Sequence, residues 1–171
     1  IRDSKETAEI VGKIVACSNF NLVFGGGENG IMGAVAQSAI NYGASTTGII
    51  PSFLLQKDLL HSGHSKKFNT ELVRTETMHQ RKKMMYDKSD GFLVLPGGIG
   101  TLDECFEVLT WCQLNQIKNK NVGIINFKGY WDPLINLINH IIKEEFMGMN
   151  NLNYFEEIKN LHMLNIFLKN I

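Results

Sequence analysis

Two glycine clusters, each following a short apolar run, are the residues of this sequence best suited to chemistry. Gly25-Gly26-Gly27-Glu28-Asn29-Gly30-Ile31-Met32-Gly33 comes first, and Pro96-Gly97-Gly98-Ile99-Gly100-Thr101-Leu102-Asp103-Glu104 second. Without a Cβ, a backbone can approach a ligand closely, and a helix N-terminus presents N–H groups carrying partial positive charge. Together these are the ingredients of a phosphate or nucleotide site. Two tight strand-to-helix turns that need positive φ would use the same glycines. Neither cluster is a P-loop, because no Gly-Lys-[Ser/Thr] follows. The dinucleotide fingerprint fits poorly too, with no clear ribose-binding acid on the next strand.

The second cluster holds a conflict. Thr101-Leu102-Asp103-Glu104 fits a capping box, in which Glu104 folds back onto the Thr101 N–H. The same N–H groups are the natural anion site, and a phosphate there would compete with Glu104 for donors. A carboxylate beside a phosphate repels it, so it needs a compensating cation or a part in the reaction. The nearest basic run is Arg81-Lys82-Lys83. Three adjacent cations also suit a solvated helix face.

The elements that position these groups follow from periodicity. Helices are expected over residues 4–18 with Ser4 as a cap, 31–42, 77–88, 101–117 and 132–146. Apolar runs over 21–24, 46–50, 72–75, 91–95 and 122–127 read as strands, while residues 52–69 read as a loop or short helix. Ala8, Val11, Ile14 and Val15 form the apolar face of the first helix. Strands apolar throughout and separated by helices indicate a parallel sheet covered on both faces, a Rossmann-like, doubly wound α/β domain. Such a domain normally begins with a strand, so an opening strand is expected upstream of Ile1. A single domain over 1–171 is expected, with its core at 5–147 and a helical tail at 148–171. In a parallel sheet both glycine clusters would lie at the carboxyl ends of strands, where open α/β sheets bind ligands.

The 171 residues carry 17 Lys+Arg and 17 Asp+Glu, a formal net charge of zero. Zero net charge disfavours nucleic acid and anionic membranes as main partners. No apolar run approaches the ~20 residues of a bilayer-spanning helix. Cys17, Cys105 and Cys112 have no CxxC spacing, which disfavours structural zinc and a disulfide framework. A reduced, cytoplasmic chain with cysteines as small buried hydrophobes is the simple reading.

Pro96–Glu104 matches the PGGxGTxxE motif of the LONELY GUY (LOG) family of cytokinin riboside 5′-monophosphate phosphoribohydrolases. Met78-His79-Gln80-Arg81-Lys82 resembles that family's Met-His-[Glu/Gln]-Arg-Lys segment, and Gly25–Gly33 its GGGxxGxMG turn. Gly48-Ile49-Ile50-Pro51, Leu109–Leu114 and Asn126–Trp131 extend the likeness, which covers roughly residues 5–147 in order. Many relatives bear the name "lysine decarboxylase", but no lysine here is set in a pyridoxal phosphate site.

The resemblance implies hydrolysis of the N-glycosidic bond of adenosine-type 5′-monophosphates, releasing a free base and ribose 5-phosphate. It implies that Arg81 and Glu104 are the catalytic pair. Gly98, Ile99, Gly100 and Thr101 would bind phosphate, flanked by Gly97, Leu102 and Asp103. Lys82, Thr110, Met78, Gly26 and Gly27 match other positions near substrate. Asp58 falls roughly where many relatives have a substrate-reaching Glu. A carboxylate such as Glu104 can stabilise oxocarbenium character on the ribose and orient water. Arg81 can offset the charge of phosphate and Glu104. No cofactor or metal is implied. His61 and His64 could pair on a metal or stay solvated, and residues 56–70 look longer than the family's loop. A homodimer or larger homo-oligomer is implied, with Trp111, Leu114 and Met84-Met85 as interface or core. The rival reading is a non-catalytic carrier of nucleotide or molybdenum cofactor on the same fold.

Overall fold

The computed structural model describes residues 2–54, 71–114, 120–147 and 155–171; Asp58, His61 and His64 lie outside them. The chain divides into two compact units, Ile1–Ser89 and Asp90–Ile171. Each is a parallel α/β arrangement, as the alternating apolar runs and helical periods require.

The first unit contains α1 (Arg2–Cys17), β1 (Leu22–Phe24), α2 (Gly30–Asn41), β2 (Thr46–Pro51), β3 (Glu71–Thr75) and α3 (Met78–Asp87). Its strands pair in the order β1-β2-β3, with Phe24 opposite Gly48 and Pro51 opposite Thr75. Helices α1 and α2 meet along small residues. A Cβ on Gly12 would overlap the Val35 carbonyl, and the Ser38 hydroxyl donates to the Glu9 carbonyl. Ala8, Val11 and Val15 are buried, while Ile14 stays half-exposed. Helix α1 begins at Arg2, so Ser4 lies inside it rather than capping it. Residues 52–54 are helical.

The second unit contains β4 (Gly91–Val94), α4 (Ile99–Gln113), β5 (Asn121–Ile125), α5 (Asp132–Lys143), β6 (Glu156–Ile158) and α6 (Leu161–Lys169). Its sheet runs β4-β5-β6, all parallel. One cluster joins Val94, Cys105, Leu109, Val122, Ile124, Trp131, Leu134 and Ile138. Truncating one of the large aliphatic side chains in it, such as Ile124, to Ala would cost about 2–5 kcal/mol. The segment expected as a helical tail instead supplies a strand and then a helix. β6 pairs with β5, and Leu164, Phe167 and Leu168 of α6 are buried. Burial of these side chains makes the segment part of the unit's core.

In both units the glycine clusters fall just past the carboxyl ends of strands, after β1 and after β4. Arg81 likewise follows the carboxyl end of β3, on α3. Cys105 is buried and Cys112 half-buried, but Cys17 is exposed, which corrects the expectation for that residue.

Candidate functional site

In the first unit the site is built around Arg81. Thr77 caps α3: its side chain accepts from the Gln80 N–H at 3.2 Å, and the Gln80 side chain accepts from the Glu76 N–H at 2.9 Å. That cap fixes the start of α3, and Arg81 follows it four residues on. Arg81 is 8% exposed, although arginines are rarely buried unless partnered. Its Nε donates to the Ile49 carbonyl of β2 at 3.2 Å. A Cβ on Gly25 would overlap Nη2 of the same side chain, so the glycine turn leaves the space that the guanidinium fills. The basic run therefore sorts itself by direction. Lys83 is a solvated face residue, 2.9 Å from Asp87, whereas Arg81 is buried and Lys82 and Met78 are half-buried.

The two glycine clusters differ in why glycine is there. Gly26 and Gly30 have φ of 78° and 64°, so the turn reading holds for the first cluster. Gly26 also packs against Gly48 of β2, and Gly27 lies against Met32. No glycine of the second cluster has positive φ. A Cβ on Gly98 or Gly100 would meet nothing within 4 Å among the described residues. Neither backbone angle nor internal packing demands glycine at these two positions. That stretch of backbone is left open to close approach.

Helix α4 starts three residues earlier than a capping box at Thr101 would need. Gly98 is the N-cap residue and makes no side-chain cap hydrogen bond, and the Leu102 N–H donates to the Gly98 carbonyl at 3.1 Å. Thr101 is thus inside the first turn, and the capping-box reading of Thr101 and Glu104 is corrected. The N–H groups of Ile99, Gly100 and Thr101 have no acceptor within the helix, a general property of a first turn. Ile99 is 81% exposed, an apolar side chain that the helix start holds in solvent. The Thr101 side chain folds over Gly97, where a Cβ would overlap its hydroxyl oxygen.

Glu104 is half-buried and three residues beyond Thr101, which puts both on one helix face. Side chains on a helix lean toward its N-terminus, so the carboxylate leans toward the open turn. Leu102 contributes its side chain to core packing and Asp103 is exposed. Thr110 is six residues past Glu104 and lies on another face, with its hydroxyl donating to the Phe106 carbonyl at 2.7 Å. Burial pushes the Cys105 thiol up to about 11, so it stays neutral at ordinary pH and is a packing group. Among the described residues, no group of three or more His, Cys, Asp or Glu side chains is arranged to hold a metal ion.

The family described as "Possible lysine decarboxylase" matches over residues 32–165. Over 143 residues the chain is 40% identical to the cytokinin riboside 5'-monophosphate phosphoribohydrolase of Rhodococcoides fascians, covering 83% of this chain and 69% of that protein. The chain belongs to the LOG family. The cytokinin riboside 5'-monophosphate phosphoribohydrolase LOG1 of Arabidopsis thaliana is 38% identical over 144 residues, 84% of this chain and 65% of the plant protein. LOGL2 of Oryza sativa subsp. japonica is 40% identical, with 84% of this chain covering 56% of the rice protein. The chain thus spans little more than half the length of some LOG relatives. The molybdenum cofactor carrier protein of Chlamydomonas reinhardtii shares the fold at TM-score 0.68 and 15% identity, over 99% of this chain and 88% of that one. The molybdenum cofactor binding protein of Rippkaea orientalis does so at 0.66 and 22%, over 97% and 86%.

Within this LOG chain, two residues that the resemblance does not carry to substrate brace the second glycine turn. Tyr130 donates its hydroxyl to the Gly97 carbonyl at 2.7 Å. Asn126, 4% exposed, holds the loop that carries Tyr130. Its Nδ2 donates to Asp132 and to Glu157, both at 2.7 Å, and its Oδ1 accepts from the Trp131 N–H at 2.8 Å. No local pattern announces the Tyr130 contact, because it spans 33 residues of sequence.

Proposed function

We propose that this LOG-family chain hydrolyses the N-glycosidic bond of adenosine-type 5′-monophosphates, with the N6-modified cytokinin forms as the leading substrates. The observation that carries the reading is the open start of α4. It offers a helix N-terminus with no side-chain cap, glycines that nothing internal requires, and a carboxylate one turn further on. The substrate phosphate binds the N–H groups of Gly98, Ile99, Gly100 and Thr101 and the Thr101 hydroxyl. Its binding energy then positions C1′ for reaction. Water attacks C1′ as the C1′–N9 bond breaks. The bonding pair leaves on the base, which takes up a proton, and the water oxygen stays on ribose 5-phosphate. Glu104 stabilises positive charge on the ribose and accepts the proton of the attacking water. By the LOG resemblance Arg81 is the other member of the catalytic pair, a cation able to offset substrate negative charge. The LOG resemblance adds Lys82, Thr110, Met78, Gly26 and Gly27 as further substrate positions.

The test is release of free base from AMP and from N6-isopentenyladenosine monophosphate by the full chain. Glu104→Gln is expected to lower kcat by about 10²–10⁴-fold while the phosphate still binds. Nucleotide binding with no base released from either substrate would replace the hydrolase reading with that of a carrier.

A homodimer in the cytoplasm completes the proposal. Exposed Phe106 on α4 and Leu114 just past its end, 60% exposed, offer apolar surface for a second copy. The free cysteines suit a reducing compartment. No helix among the described residues is long and apolar enough to cross a membrane. A sedimentation mass of one chain under assay conditions would remove the dimer.

A further inference from the structure

Tyr130 matches none of the positions carried to substrate, yet its hydroxyl ends on the Gly97 carbonyl, at the peptide that opens the second glycine turn. A trans peptide is planar and its N–H points opposite to its C=O. Whatever fixes the Gly97 carbonyl therefore fixes the direction of the Gly98 N–H. We infer that Tyr130 is a positioning residue for the phosphate turn, aiming the Gly98 amide by holding the carbonyl on the other side of the same peptide. The inference rests on the function proposed above.

Two features make such a clamp necessary and possible. The peptide lies between two glycines, so no Cβ on either side restricts its rotation. Gly97 is already pressed on one side by the Thr101 side chain, and Tyr130 supplies the directional contact. Tyr130 is itself well placed to do so. Its ring meets the buried Trp131 edge-on, at 4.8 Å between centroids and 85° between planes. The Asn126 bonds to Trp131, Asp132 and Glu157 fix the loop beneath it. A donor set before the ligand arrives spares the ordering that binding would otherwise demand.

Tyr130→Phe removes the hydroxyl and keeps the ring on Trp131, and the full chain can be examined in two ways. By calorimetric titration, the Kd for ribose 5-phosphate should rise about threefold to tenfold, the worth of one hydrogen bond. The KM for AMP should rise with it while kcat is unchanged. By amide hydrogen exchange, Gly98 should exchange faster in the variant, with the β4 and β5 amides unaffected. Unchanged affinity and unchanged Gly98 exchange would overturn the inference, as would an equal rise in exchange through β4 and β5, the mark of a merely structural role. If the unaltered chain neither binds ribose 5-phosphate nor releases base, the proposed function fails. The exchange measurement still decides the clamp.

Discussion

Helices α3 and α4 carry nearly the same four-residue pattern near their starts, Thr77-Met78-His79-Gln80 and Thr101-Leu102-Asp103-Glu104, and put it to opposite uses. In α3 the threonine is the cap, its oxygen accepts from the Gln80 N–H, and Gln80 closes the turn behind it. The end of that helix is satisfied by its own side chains. In α4 the helix has already begun at Ile99, the cap position is a glycine, and the threonine and glutamate lie along one face inside the helix. One start is closed by the protein and the other is left open. Whether a Thr-x-x-Glu/Gln string caps a helix depends on what lies two or three residues before it, and here that is Gly97-Gly98.

The contrast can be broken by giving α4 the cap it lacks. Gly98 has φ −102° and ψ −155°, extended angles that any residue adopts. Gly98→Asp should therefore fold as well as the unaltered chain, with stability raised by a few tenths of a kcal/mol at most. It places a carboxylate where the phosphate binds, and affinity for ribose 5-phosphate should fall about a hundredfold or more. Thermal melts and titration of one preparation check both halves. Equal affinity would mean that the open end is not the phosphate site.

Gly25→Ala tests the first unit. The added methyl overlaps the Arg81 guanidinium, so the variant should lose about 1–3 kcal/mol of stability and most of its kcat. In an Arg81→Ala background the same substitution should cost much less, because the two sites are in contact. Additive losses in denaturant melts would show that Gly25 acts through the turn alone. Thr77→Ala has the smallest expected effect. It should cost about 1 kcal/mol in the same melts and leave ribose 5-phosphate affinity unchanged, since the closed start has no ligand to lose.

Much of this arrangement was legible in the sequence because it is local. Apolar runs such as Val122–Ile125 between turn signals read as buried strands, and the glycine clusters mark where strands turn into helices. The ordered motifs name the residues proposed for the site. What could not be read depends on contacts between distant segments. The resemblance names Arg81, but its place among three adjacent cations gives no sign of burial, which comes from the distant Ile49 carbonyl and the space at Gly25. The α4 start was misplaced because an apolar residue, Ile99, opens the helix while exposed to solvent, against the usual sorting. Tyr130 reaches Gly97 across the second unit, and nothing near either residue foretells it. Cys17 lies on the outer face of α1, where the preference of cysteine for burial gives no warning.

The central claim is that the start of α4, and not another helix start, receives the phosphate of the substrate. Helix α2 is the informative comparison, because it also follows a glycine cluster and its cap residue Asn29 makes no side-chain cap hydrogen bond. The measurement is a titration of the nitrogen-15-labelled full chain with ribose 5-phosphate, followed by amide chemical shifts. Shifts concentrated on Gly98, Ile99, Gly100 and Thr101 are the predicted result. Shifts concentrated on Gly30–Gly33, or none at either helix start, would contradict the account.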